Sequence, residues 1–186
     1  MLCTAAIVMA FLGYFGEWLT LLPSELLVGE ACARVNEGWS YMVKLDDFVS
    51  LTAENCGQFG ADTRLVTGLD GVIASPAGLL EGQRLALVDV INSAAWILVV
   101  ILLEIEVRLL TRWGGGSRPM ARLASSLKVV LYTTLVVAAI YWGFKGDFLD
   151  FWDAALWLFA FVFIELNVFE WQQEIRDQTE SAQGPV

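Results

Sequence analysis

The 186-residue chain contains no histidine. That absence removes haem ligation by imidazole, zinc sites of the His type, and Ser-His-Asp or Cys-His catalysis. Cysteine is scarce: Cys3, Cys32 and Cys56 make up the 3 present, and none forms a CxxC. The dithiol centre of a membrane thiol oxidoreductase is therefore missing. Charge is thin as well, 17% of residues, against about 25% in an ordinary soluble domain. Bases are outnumbered, 11 Lys and Arg against 21 Asp and Glu, for a net charge of −10. Phosphate recognition needs clustered Lys and Arg, so no nucleic-acid partner is expected, and a polybasic lipid anchor is equally unsupported. No nucleotide-binding glycine motif, GxSxG or metal-ligand triad occurs, and the glycines at 114–116 form a bare turn. The chain reads as a non-enzyme with no cofactor and no metal.

What is present is apolar. The sequence is 57% hydrophobic with mean hydropathy +0.61, and its charge lies mostly outside a few long apolar runs. About 20 apolar residues cross a bilayer as a helix. The pattern predicts an all-α integral membrane protein with four transmembrane helices. The first occupies residues 1–28, broken near Pro23, because the residue before a proline is pushed out of the α region. No basic segment precedes it, which favours a helix over a cleaved signal. Residues 29–84 form a partly helical loop, with helical stretches expected at 31–44 and 46–54, and residues 71–80 are too short to span. The second helix covers 85–112, a Gly/Arg loop covers 113–122, and the third and fourth helices share 123–169. The polar tail at 170–186 is expected to fray.

Orientation follows Lys and Arg near span ends. Arg108, Arg112, Arg118, Arg122 and Lys128 flank the 113–122 loop, whereas Lys145 faces Asp147, Asp150 and Asp153 across the next connection. The Gly/Arg loop and both termini are then cytoplasmic, and residues 29–84 lie outside, in a plasma or bacterial inner membrane. Cys32 and Cys56 share that one external loop in an oxidising compartment, so they are the disulfide candidates. Cys3 reads as a small apolar residue.

Sliding the chain by 61 residues aligns Asp89 with Asp150, Trp96 with Trp157 and Glu104 with Glu165. The match suggests two parallel-repeated helical hairpins. Glu104 lies 15 residues beyond Asp89, roughly 22 Å deeper at about 1.5 Å per residue. A carboxylate at mid-bilayer costs about 2.5–3.5 kcal/mol on insertion scales, which makes such residues functional candidates. Glu104 and Glu165 are thus the candidate ion-pathway carboxylates, with Glu106 and Asn167 as further oxygen ligands. Glu104 has a local partner in Arg108, four residues on in the favoured order; the matching place after Glu165 holds Phe169. Asp89, Asp147, Asp150 and Asp153 form an outer acidic cluster able to concentrate cations, although acids in a first helical turn are favourable on their own account. Glu17 is one more acid within an apolar run. Two readings follow. One is an oligomeric cation or proton pathway. The other is a non-catalytic, structural or accessory subunit of a larger membrane complex. The expected partners are the lipid bilayer and either further copies of the chain or that complex.

Overall fold

The computed structural model describes residues 2–113, 118–146 and 148–183. The glycines of the 113–122 loop and Asp147, singled out above, lie outside them. Helix α1 (Leu2–Leu21) leads into five short strands: β1 (Ser24–Leu26), β2 (Ser40–Lys44), β3 (Asp47–Ser50), β4 (Arg64–Val66) and β5 (Val72–Ala74). Three long helices follow: α2 (Pro76–Trp113), α3 (Arg118–Lys145) and α4 (Phe148–Gln183). The chain divides into two compact units, Met1–Leu131 and Tyr132–Val186.

This architecture overturns the all-α expectation of four transmembrane helices. The fold is mixed: four helices accompany a 5-stranded sheet. Among the described residues, 2 helices are long and apolar enough to cross a membrane, Pro76–Arg108 within α2 and Arg122–Lys145 within α3. The apolar part of α1, Ala5–Leu21, is shorter. Along α4, Asp150, Asp153 and Asn167 interrupt the apolar run, and the helix continues as a polar segment to Gln183. The pair of repeated membrane hairpins falls with the four spans. A sheet separates α1 from α2, whereas α3 and α4 are joined through Gly146 and Asp147.

The loop expected to hold helices at 31–44 and 46–54 holds strands because its apolar residues are β-branched or aromatic and come in short runs. Tyr41, Val43, Phe48, Val49, Val66, Val72 and Ile73 suit a pleated surface better than a helix. Its helical content reduces to two 3₁₀ turns, Ala31–Arg34 and Cys56–Gln58. Strand order is β1-β4-β5-β2-β3. β5 pairs with β2 in parallel, Ser40 opposite Val72 and Tyr41 opposite Ile73. The remaining pairs are antiparallel, and β2 against β3 carries an irregularity between Met42 and Lys44.

A small core backs the sheet. Ala31, Leu51, Cys56 and Ile73 are buried together, with Trp39, Tyr41, Phe59 and Leu65 packed around them. Tyr41 and Phe59 meet edge to face at 5.0 Å. A disulfide joins Cys32 to Cys56 and so ties the two 3₁₀ turns across this core. Asn55 fixes the approach to the second turn: its Oδ1 accepts from the Thr52 amide at 2.7 Å and its Nδ2 donates to the Ser50 carbonyl at 3.0 Å.

The sheet is fastened to both helices that bracket it. The amide and hydroxyl of Thr67 both donate to the carbonyl of Pro23, at 3.2 and 3.1 Å. Gln83 Nε2 donates to the Leu21 carbonyl at 2.8 Å, satisfying an end group of α1 that the helix itself leaves open. α2 begins at Pro76, a residue pre-set for the first helical position. Ser75 caps it, its Oγ accepting from the Gly78 amide at 3.1 Å. Gly78 and Gly82 lie one turn apart and let Met42 of β2 settle against α2; a Cβ on Gly82 would come to 3.0 Å of the Met42 methyl. Beyond this junction α2 runs antiparallel to α1, and buries Leu85, Ala86, Ala95, Val99 and Leu102. In the second unit, Leu135, Ala138, Ala139 and Trp142 form a buried stripe on α3 at helical spacing. There Gly143 admits the ring of Phe151 from α4.

Two substitutions measure the sheet and its mooring. Cys56→Ser opens a loop of 24 residues' separation and is expected to lower stability by about 3 kcal/mol on the chain-entropy scale. The loss should appear as a lower unfolding temperature in detergent, matched by wild type under reductant. Gly68→Ala drives a methyl into the backbone carbonyl of Thr20 at the end of α1, an overpacking expected to cost about 1–3 kcal/mol. An unfolding temperature equal to wild type would refute the close approach.

Candidate functional site

Glu104 and Arg108 stand one turn apart on α2, and they pair as the sequence order favours. Arg108 Nη2 lies 2.6 Å from Glu104 Oε1, and its Nε donates to the same oxygen at 2.7 Å. Both side chains are open to their surroundings, 74% and 59% exposed. Glu106 points away from Glu104, as two residues of helix require, and meets Lys128 of α3 at 2.6 Å. That second pair is the more enclosed one. The side chain of Glu165 lies outside the described residues, and Asn167 is exposed on α4.

The Glu104 and Arg108 pair closes one end of a groove. Ala5, Val8 and Met9 from α1 face Val100, Ile101, Glu104, Ile105 and Arg108 from α2 around about 800 Å³. The lining is apolar except for the ion pair. The groove lies where Ala5, Val8 and Met9 face the later turns of α2, at the end of this helix pair away from the sheet.

Four acids were expected to gather at the outer end. Asp89 is buried on α2. Ser93 beside it donates to the carbonyls of Asp89 and Val90, at 2.8 and 3.1 Å. Asn92 Oδ1 is enclosed and has no partner among the described residues. Asp150 and Asp153 are exposed in the opening turns of α4, where an acid suits the helix terminus. Asp147 lies outside the described residues. Among the described residues, no three His, Cys, Asp or Glu side chains converge on a metal-sized site.

One arrangement was not visible in the sequence. Glu17, near the end of α1, is half-buried and faces Asp46 from the turn between β2 and β3, with which it shares a side-chain hydrogen bond. Burial first, and then the neighbouring Asp46 charge and that hydrogen bond, push the Glu17 carboxyl above the ordinary carboxylate value of 4.5. Two carboxyls in contact hold a proton between them more readily than either alone. The 28 residues between the two hide the pair from any local pattern.

A raised carboxyl pKa means that the folded chain binds the proton more tightly than the unfolded chain. Ionisation then works against folding as pH rises from 4.5 through the raised folded value. Glu17→Gln should therefore raise the unfolding temperature at neutral pH, and the gain should vanish once pH falls below 4.5. A gain that is the same at both ends of the titration would show that the carboxyl pair is not the cause. Asp46→Asn should give a gain of the same sign.

No family model, curated protein or solved structure matches this chain.

Proposed function

We propose that the chain is a non-catalytic accessory subunit of a larger membrane complex, held in the bilayer by α2 and α3 with its disulfide-bonded sheet on the extracytoplasmic side. The observation that carries this reading is the state of the inner carboxylates. A permeation carboxylate must take up and release a cation. Glu106 instead holds the basic side chain of Lys128 at 2.6 Å in a largely enclosed pair, and Glu104 shares its surroundings with Arg108 at the same distance in an exposed pair on its own helix. The more enclosed pair, Glu106 with Lys128, links α2 to α3. Breaking such a pair by removing one partner is costly, because the other charge is left behind. These acids serve helix assembly better than ion transfer.

The sheet supports the same reading. β3 is an edge strand whose residues are all exposed, Phe48 and Val49 among them. An open edge with apolar side chains is a surface on which another chain can add a strand. The disulfide fits an oxidising compartment, and the cluster of Arg108, Arg112, Arg118 and Arg122 fits the cytoplasmic face.

Purification from native membranes in a mild detergent tests the assignment. The expected result is a heteromeric assembly of fixed stoichiometry that survives size-exclusion chromatography. Liposomes carrying the chain alone should show no cation flux above protein-free liposomes. A homo-oligomer that conducts cations, and stops conducting as Glu165→Gln, would replace the subunit reading with the pathway reading.

A further inference from the structure

We propose that the groove between α1 and α2 binds a membrane phospholipid with a zwitterionic, primary-amine headgroup. Its acyl chain lies on the apolar wall, and its headgroup meets Glu104 and Arg108. The proposal takes the membrane placement of α2 from the preceding section. It is independent of the subunit assignment.

The shape and polarity of the groove select the occupant. About 800 Å³ falls within the range of roughly 300–1,000 Å³ typical of small-molecule sites. Along α2 the wall passes in successive turns from Val100 and Ile101, through Glu104 and Ile105, to Arg108. Polarity is thus confined to one end, as it is along a lipid from acyl chain to headgroup. Water gains little from a wall of six apolar side chains, since a held water needs two to four polar partners. The polar end also sits at the right level. Arg108 opens the run of arginines that places this end of α2 at the cytoplasmic interface, where headgroups are.

The ion pair then discriminates among headgroups. It offers one carboxylate and one guanidinium side by side, both largely exposed. An ammonium bearing N–H donors matches Glu104, and the phosphate of the same headgroup matches Arg108 through charge-assisted hydrogen bonds. A choline headgroup has no N–H to give the carboxylate. A glycerol headgroup can meet Arg108 through its phosphate but gives Glu104 only neutral hydroxyl donors, with no positive charge of its own to balance the carboxylate. The primary amine is the chemistry that satisfies both residues at once.

The test uses the full chain, purified in detergent and stripped of lipid, with native mass spectrometry reading the adducts. The probes are phosphatidylethanolamine, phosphatidylcholine and phosphatidylglycerol of identical acyl chains. Wild type should bind phosphatidylethanolamine about tenfold more tightly than either of the others, the worth of one charge-assisted hydrogen bond. Glu104→Gln should erase the preference over phosphatidylcholine, and Arg108→Gln should weaken all three lipids about tenfold. Ala5→Trp and Val8→Trp fill the groove without touching the ion pair and should each reduce all adducts. Equal binding of the three lipids by wild type overturns the proposal, as does unchanged preference in Glu104→Gln or undiminished adducts in both tryptophan variants. Carbonate extraction of native membranes separates this failure from that of the membrane placement. Release of the chain by carbonate overturns both, whereas retention without headgroup preference overturns the lipid site alone.

Discussion

The covalent link between Cys32 and Cys56 is the constraint on which the sheet depends. The strands fall between residues 24 and 74, and none is longer than 5 residues. A unit of this size buries too little apolar surface to hold its shape comfortably, and below roughly 60 residues small domains are marginal without a staple. The core here is four buried side chains, one of which is Cys56 itself. Removing conformations from the unfolded loop compensates for what so small a core cannot supply. The flanking helices contribute the remainder. Thr67, Gln83, and the glycines at 68, 78 and 82 draw the sheet against the end of α1 and the beginning of α2.

Polar groups follow the same logic of local settlement. Ser93 returns its hydroxyl to its own helix. Glu104 takes a partner on its own helix and Glu106 takes one on the next. Glu17 is the exception. Its neighbour across the junction is another acid, so the contact depends on a proton and weakens when that proton leaves. The seam between α1 and the sheet is therefore the part of the first unit whose strength depends on acidity.

Some of this was legible in the sequence. Long apolar runs marked α2 and α3, the 2 helices among the described residues long and apolar enough to cross a membrane. Two cysteines in one polar segment marked the disulfide, and the spacing of Glu104 and Arg108 marked their pairing. The sheet was not legible. Strands of 3 to 5 residues are too short for a period of two to separate from a period of 3.6, and the pairing of β1 with β4 joins residues far apart in the chain. The start of α2 was hidden because the apolar run that marked the second helix begins only at residue 85, beyond Ser75-Pro76. That pair is in fact a cap followed by a first-turn proline. Glu17 and Asp46 meet only through tertiary structure.

The strand order has a consequence for the sequence of events during synthesis. β1 emerges first among the strands, yet it must wait for β4 before it can pair, whereas β2 pairs with β3 at once and gains β5 on its other edge only later. The two cysteines are both made before either late strand exists. Chain direction thus allows the loop between residues 32 and 56 to be closed while β1 is still single, so that β4 and β5 arrive at a scaffold already circular and slot between strands laid down before them.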